Sequence, residues 1–480
     1  MTAAQPAPSG STPTAEGTGR FTWRFVTPVL VGPVLNPINT SMIAVALVPI
    51  SHDLHVATSV VVWLVAGLYL ASAIAQPTMG KLADVFGPKR VYLVGLVVVL
   101  VAGILPNIWH DFSAVLIARI LIGIGTSAAY PSSMALIRDQ STRLDRKTPP
   151  ALLSGISIAS QTTAAVGPVL GGVLIEFFGW QSIFLVNIPL AAIALVTAIM
   201  WVPADKTRPA RTGPKPTLRD IDPVGIVLFA GALASLLVFL LDLKLSLLWL
   251  VGLSAVLVAI LLWWSLRSRH PFIDIRMLRR NGALSRTYLR MLLIYFGAYT
   301  MMYGFSQWVQ GSAGYSADQA GFIQLPTAVL AALTSIMIAK NRRLRLPLVL
   351  SGAIPFVGGI VLVFLTGASP LWILLLVAAI FGVPQGLASV SNQQALYRQA
   401  PGDQLGTASG LSRTAVYLGS ILSSAAIGLA FPHAPTDSGL HGLGIAVAIV
   451  VGLAALLALV DPALRDGAKS ERVGDGLKAE

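Results

Sequence analysis

From residue 26 to 460 the chain alternates long apolar runs with short polar breaks. Each run approaches the ~20 apolar residues that a helix needs to cross the hydrocarbon core of a bilayer. The first six runs lie near 26–50, 59–79, 91–109, 113–136, 151–175 and 182–202. Two more follow near 224–241 and 246–265, joined by a short turn at Asp242 to Lys244. The last six lie near 287–309, 317–339, 347–366, 371–394, 406–430 and 441–460. The pattern predicts an all-α membrane protein with fourteen transmembrane helices, grouped as six, two and six.

The grouping comes from two basic linkers, Ala204 to Pro223 and Ser265 to Arg286. It predicts a disordered tail over 1–25 and a six-helix bundle over 26–202. Linkers plus two extra helices then occupy 203–282, a second six-helix bundle 283–461 and a tail 462–480. The opening segment of Pro, Ala, Ser, Thr and Gly has no cleavable signal architecture, so the first span is expected to stay as an anchor. Repeated six-helix halves suit a transporter that binds its substrate near the midplane between them.

Composition agrees with the pattern: 55% of the 480 residues are hydrophobic and only 11% charged, with a mean hydropathy of +0.77. There is no cysteine, which excludes disulfides and thiolate metal sites. The net charge of +13 could suggest nucleic acid, but its distribution points elsewhere. Lys and Arg gather in alternate loops and the tails, with Lys244 the exception on the other side. By the positive-inside rule those loops and both termini are cytoplasmic. The expected setting is the plasma (inner) membrane of a bacterium, multi-pass, with lipid and a small molecule as partners and no nucleic acid. Single cysteines placed within 80–90, 138–147, 204–220 or 340–345 are expected to resist an impermeant thiol reagent in intact cells. Labelling there overturns the arrangement.

Three motifs carry more specific information. Between the second and third spans stands GKLADVFGPKR, with Gly80, Asp84, Gly87, Lys89 and Arg90. Its glycines permit close approach or positive φ at two bends, and Asp84 can meet a helix N-terminus or a basic partner. The fifth span contains Gly167, Pro168, Gly171 and Gly172, small and helix-loosening residues that let a neighbour pack closely. The fourth contains Arg119 with Gly123 and Gly125. An intramembrane Arg faces a cavity or partner, or snorkels to the surface; both placements are open.

These stretches resemble the major facilitator superfamily: its signature loop, the antiporter motif of its drug exporters and its R-x-x-Q-G-x-G pattern. Fourteen spans with a central pair, D-I-D-P-V-G at Asp220 to Gly225, and H-P-F-I-D-I-R at His270 to Arg276 resemble its fourteen-helix drug:proton antiporter branch. The resemblance covers about 26–460. It departs at Val85, Pro88, Thr163 and Ile122, where the family has a basic residue, a basic residue, Gly and Gln. It implies gating by the loop, with Asp84 clamping one side, and a proton-relay role for Arg119. The branch also carries an Asp in its first span where this chain has Asn39, and an amide cannot exchange a proton. Any proton coupling would then run through the rim acids Glu176 or Asp318, or be weak.

Polar and aromatic residues within spans mark a candidate cavity, with packing the open alternative for the tyrosines. Asn36 and Asn39 lie in the first span, and Tyr295, Tyr299 and Tyr303 recur every four residues in the ninth. Gln385 and Asn392 lie in the twelfth, and Arg413 in the thirteenth either meets substrate or snorkels. No nucleophile elbow, phosphate-cradling loop or paired-His metal site is present, so neither an enzyme nor a metal or cofactor is expected. The reading is a monomeric secondary exporter of small hydrophobic or amphipathic molecules, multidrug-like and proton-coupled. The alternative is a narrow exporter of a neutral or anionic metabolite or lipid, weakly coupled or uncoupled. A non-transporting receptor or structural subunit is the third.

Overall fold

The computed structural model describes residues 21–144, 150–205, 221–241, 244–268, 271–339, 341, 343–400 and 405–464. The tail segments 1–20 and 465–480 and most of the first basic linker lie outside them. So do Asp220 and His270 of the two linker motifs.

The described residues are helical, with no strands. Helices α1 (Trp23–Asp53), α2 (Thr58–Phe86), α3 (Pro88–Ile108), α4 (Phe112–Arg143), α5 (Pro150–Phe178) and α6 (Ser182–Trp201) pack on one another. Next come α7 (Pro223–Leu241) and α8 (Leu248–Arg267), which pack together as a hairpin. Helix α9 starts as Gly282–Tyr299, passes through a π-turn at Thr300–Phe305 and resumes as Ser306–Gly311. Helices α10 (Ala317–Ile338), α11 (Arg345–Leu362), α12 (Leu371–Gln399), α13 (Leu405–Ala430) and α14 (Asp437–Val460) pack with α9 as a second group. Twelve of the described helices are long and apolar enough to cross a membrane. The remaining apolar elements are Thr162–Phe178 in α5, which is shorter, and the interrupted α9.

Side-chain ties hold the loops in two layers. At one end Lys89 and Arg90 meet Asp205, Asn281 meets the Gln399 carbonyl, and Arg286 meets Asp461. At the other, Trp180 donates to Asp53 (2.7 Å), and Asp437 gathers Trp308, Ser312 and the Gly367 amide. Almost all loop Lys and Arg among the described residues lie at the first, basic end; Lys244 lies at the opposite end.

The loop GKLADVFGPKR is tighter than the pattern suggests. Helix α2 continues to Phe86 and α3 begins at Pro88, so the turn is Gly87 alone, at φ +100°. Pro suits the first helical position because its missing N–H would be unpaired there anyway. Gly80 is therefore not a bend: it sits inside α2, where an added Cβ would make only ordinary contact with Pro131 at 3.7 Å. Helix α1 carries Pro28, Pro33, Pro37 and Pro49 within its length. Thr40 and Ser41 donate to the Pro37 carbonyl at 3.0 and 2.8 Å.

The extra hairpin is anchored by Asp222, which is buried and accepts from the Gly225 amide, the Trp264 indole and the Phe272 amide at 2.7–3.0 Å. Helix α7 rests on α2 and α13, one from each group, so the hairpin lies along a seam between them.

Candidate functional site

The seam between the helix groups holds five tyrosines. Three come from α9: Tyr299 and Tyr303 are stacked with an interplanar angle of 6°, and Tyr295 is 5.9 Å from Tyr299. Their i, i+4 spacing puts them on one helix face, and the π-turn begins just after Tyr299. Tyr69 of α2 lies 5.1 Å from Tyr299 and 5.5 Å from Tyr417 of α13, ring centre to ring centre. Such spacings are those of favourable aromatic pairs.

The hydroxyls have a defined direction. Tyr303 donates to the Thr40 carbonyl (2.7 Å), so in its 2.9 Å contact with Tyr69 it must accept. Tyr417 donates to Gln76, and Tyr295 meets Ser389 of α12. Tyr69–Tyr303–Thr40 and Tyr417–Gln76 join the two groups across the seam. At the opposite end Thr58 and Ser59 donate to the His433 and Pro432 carbonyls. Among the described residues, the hydrogen bonds joining the two six-helix groups lie between that end and the tyrosines.

Arg119 does not snorkel. It is 1% exposed and donates from Nε to the Leu64 carbonyl and from Nη1 to the Asn39 carbonyl, both at 3.0 Å. Asn39 in turn exchanges hydrogen bonds with Asn187 of α6, at 2.5 and 2.9 Å. Each amide gives a donor and an acceptor, so the pair is self-satisfied and uncharged. Asn36 donates to Thr126 at 3.0 Å. Arg413 places Cζ 5.8 Å from the ring centre of Tyr130 on α4, with Tyr417, Tyr295 and Tyr299 as neighbours.

The other candidates are dispersed. Asn392 is buried away from the tyrosines and accepts from Arg290 Nε at 3.1 Å, and Gln385 is exposed on α12 outside these contacts. Glu176 is exposed at the end of α5. Asp318 is half-buried in the first turn of α10, bonded to Ser316. Neither acid forms an ion pair with Arg119 among the described residues.

The glycine motif lies where α5 meets both α1 and α10. A Cβ on Gly167 would overlap Ser41 Oγ, and one on Gly171 would stand 3.1 Å from Met42. A Cβ on Gly172 would fall 2.6 Å from the Ala317 carbonyl oxygen. From the other side, a Cβ on Gly321 would fall 2.5 Å from the Pro168 carbonyl oxygen. These two helices thus meet backbone to backbone across the seam.

In the basic loop the N-terminus of α3 is met by Asp205, not Asp84. Its carboxylate accepts from the Lys89 and Arg90 amides, both at 3.0 Å, while Lys89 Nζ reaches the Ile199 and Val202 carbonyls. Asp84 lies 3.6 Å from Arg138, and both are well exposed. Exposed pairs contribute only about 0–1 kcal/mol. Asp84→Asn is accordingly expected to slow transport several-fold and leave substrate affinity within about twofold; a parallel loss of binding, or no change in either, excludes a gating role.

Sequence reasoning missed Tyr69, Gln76, Asn187, Asp205, Tyr417, Arg290 and Asp461. A tyrosine or amide well inside an apolar run was the available signal for the first three and for Tyr417.

The helical fold and its seam suit a membrane transporter, and similarity to known proteins agrees. The Major Facilitator Superfamily model matches residues 29–424, and the chain belongs to that family. It is 34% identical to an uncharacterized MFS-type transporter, YwoD of Bacillus subtilis, over 91% of this chain and 96% of that protein. It is 26% identical to the tetracenomycin C resistance and export protein of Streptomyces glaucescens, covering 96% and 86% of the two chains. The methylenomycin A resistance protein of Streptomyces coelicolor is likewise 26% identical, with 90% of each covered. The crystal structure of the nucleoside transporter NupG superposes with a TM-score of 0.62 over 91% of this chain and 98% of that one, at 10% identity, which speaks to the fold alone. The protein is a multi-pass bacterial inner-membrane transporter of that family.

Proposed function

We propose that the protein exports small hydrophobic or amphipathic molecules by alternating access, with fourteen spans arranged as six, two and six. The proposed units are 26–202, 203–282 and 283–461, with both termini cytoplasmic. The basic end then faces the cytoplasm, and the closed end faces outward. The observation that carries the reading is the tyrosine cluster on the seam, built from α2, α9 and α13. It offers flat aromatic faces and hydroxyls where the two halves must part and rejoin.

Of the two exporter readings, the weakly coupled one is favoured by the Asn39–Asn187 pair. A carboxylate there could take up and release a proton, whereas paired amides hold none. Relatives named for tetracenomycin C and methylenomycin A support drug-like cargo without naming it for this chain. The test is transport in proteoliposomes with and without a pH gradient. Uptake of amphipathic dyes that is insensitive to the gradient supports the weakly coupled reading, and strict dependence on it restores proton coupling. No movement of any amphipath sinks the export reading.

A further inference from the structure

Arg413 is a cation without an anion. It lies eight residues into α13, about 12 Å along the helix axis from its start. At that depth a charged side chain normally has a partner. Among the described residues no carboxylate pairs with it; its neighbours are Tyr130, Tyr295, Tyr299 and Tyr417, drawn from α4, α9 and α13. Those helices come from both halves, so the Arg413 guanidinium lies in the seam between them. Arg119 cannot serve the same purpose, because it is buried and two of its donors are held by backbone carbonyls.

We infer that this part of the seam selects planar aromatic monoanions, with Arg413 as the specificity-determining residue, and that the membrane potential drives their export. The inference rests on the reading of the tyrosine seam as the transport path. The ladder supplies faces for a flat ring system, and the guanidinium supplies a two-pronged donor matched to a sulfonate or carboxylate. An organic anion buried in low dielectric needs such a countercharge, whereas an organic cation beside Arg413 is repelled. Tyr130 holds the empty guanidinium through its ring face. An arriving anion competes for that contact, which joins α4 to α13.

The charge balance also removes the need for a proton-exchanging acid. Arg413 stays protonated throughout. On the outward step it carries the bound anion, and the pair is neutral; on the return step it is empty and carries one positive charge inward. One cycle therefore moves one negative charge out, which an inside-negative potential favours. A potential of 100 mV corresponds to about fiftyfold accumulation outside.

The test uses the purified full chain in liposomes, with naphthalenesulfonate, naphthalenesulfonamide, naphthyltrimethylammonium and an alkylsulfonate of similar apolar area as probes. Binding is read by quenching of protein fluorescence, and flux under a potassium diffusion potential clamped at zero pH gradient. The sulfonate is expected to bind at least tenfold more tightly than the sulfonamide and the ammonium probe, and its flux to rise with the potential. Arg413→Gln should reduce the sulfonate-to-sulfonamide affinity ratio at least tenfold, and Arg413→Lys should restore part of it. Equal binding of sulfonate and sulfonamide, an unchanged ratio in Arg413→Gln, or flux that follows only a pH gradient overturns the inference. Equal handling of alkyl and aromatic sulfonates overturns its planar component and points to lipid-like anions. Transport of the sulfonamide or the ammonium probe without the sulfonate defeats the inference but leaves the seam as the transport path. Failure of all four probes to bind or move defeats both.

Discussion

Gly172→Leu is expected to abolish transport while the protein still folds and inserts. The reason is the backbone contact between α5 and α10. A Cβ at this position already meets the Ala317 carbonyl oxygen and Asp318 Cα at 2.6 Å, with no flexible side chain that could give way. Overpacking of this kind costs about 1–3 kcal/mol, and a branched side chain in a helix–helix contact belongs at the upper end. The penalty falls only on the conformation in which the two helices meet. The closed state of the opposite end is therefore depleted roughly 10–100-fold, and the cycle stalls with that end open.

The measurement is the reactivity of a single cysteine at Ser59, beside Pro432 in the closed contact. Its labelling from outside should rise in the Gly172→Leu background while substrate efflux disappears. Gly442→Leu is the control, since nothing lies within 4 Å of a Cβ there; it should transport normally. Normal transport by both variants would show that α5 and α10 need not approach this closely during the cycle.

The contrast between Gly87 and Gly80 shows how far a local motif can be read. Both belong to the signature loop, but only Gly87 takes a positive φ, and it does so beside an aspartate 118 positions further on. An added Cβ at Gly87 would stand 2.3 Å from Asp205, a crowding that no loop sequence reveals. Apolar runs, charge asymmetry and the glycine motif are local properties of the chain, which is why the helices and the family were legible. The tyrosine face of α9 was legible for the same reason, because helical periodicity displays it.

What stayed hidden depends on distant pairing. Asn39 and Asn187 are 148 positions apart, and Tyr69 and Tyr303 are 234 apart. Each of these looks like an isolated polar residue in its own span. Asn392 lies in a polar stripe that suggests a cavity, and its amide oxygen accepts from Arg290, a partner 102 positions away. Arg290 and Asp461 sit near the ends of apolar runs, where charged residues usually mark the membrane surface. Only the docking of α9, α12 and α14 turns them into a buried pair.

That buried pair yields the second large effect: Asp461→Ala should destabilise the protein by about 3–5 kcal/mol. Arg290 and the Asp461 side chain are both fully buried. Arg290 Nη1 lies 3.6 Å from Asp461 Oδ2, Nε donates to Asn392 and Nη2 to Thr287, which donates to Gln399. The other Asp461 oxygen accepts from Arg286 at 2.9 Å and from the Ala463 amide. Removing the carboxylate leaves the Arg290 cation in low dielectric without a countercharge, and the guanidinium cannot shed its proton to escape. Removing Arg286, whose side chain is 37% exposed, costs far less because Asp461 keeps Arg290 and the Ala463 amide as partners. Replacing both buried ions, as Arg290→Met with Asp461→Leu, removes two desolvation costs together and should recover most of the lost stability. Thermal unfolding of the purified protein in detergent should rank Asp461→Ala well below Arg286→Ala, with the double variant near wild type. A double variant no better than Asp461→Ala would mean that the surrounding hydrogen bonds, and not the charge pair, hold α9, α12 and α14 together at this end.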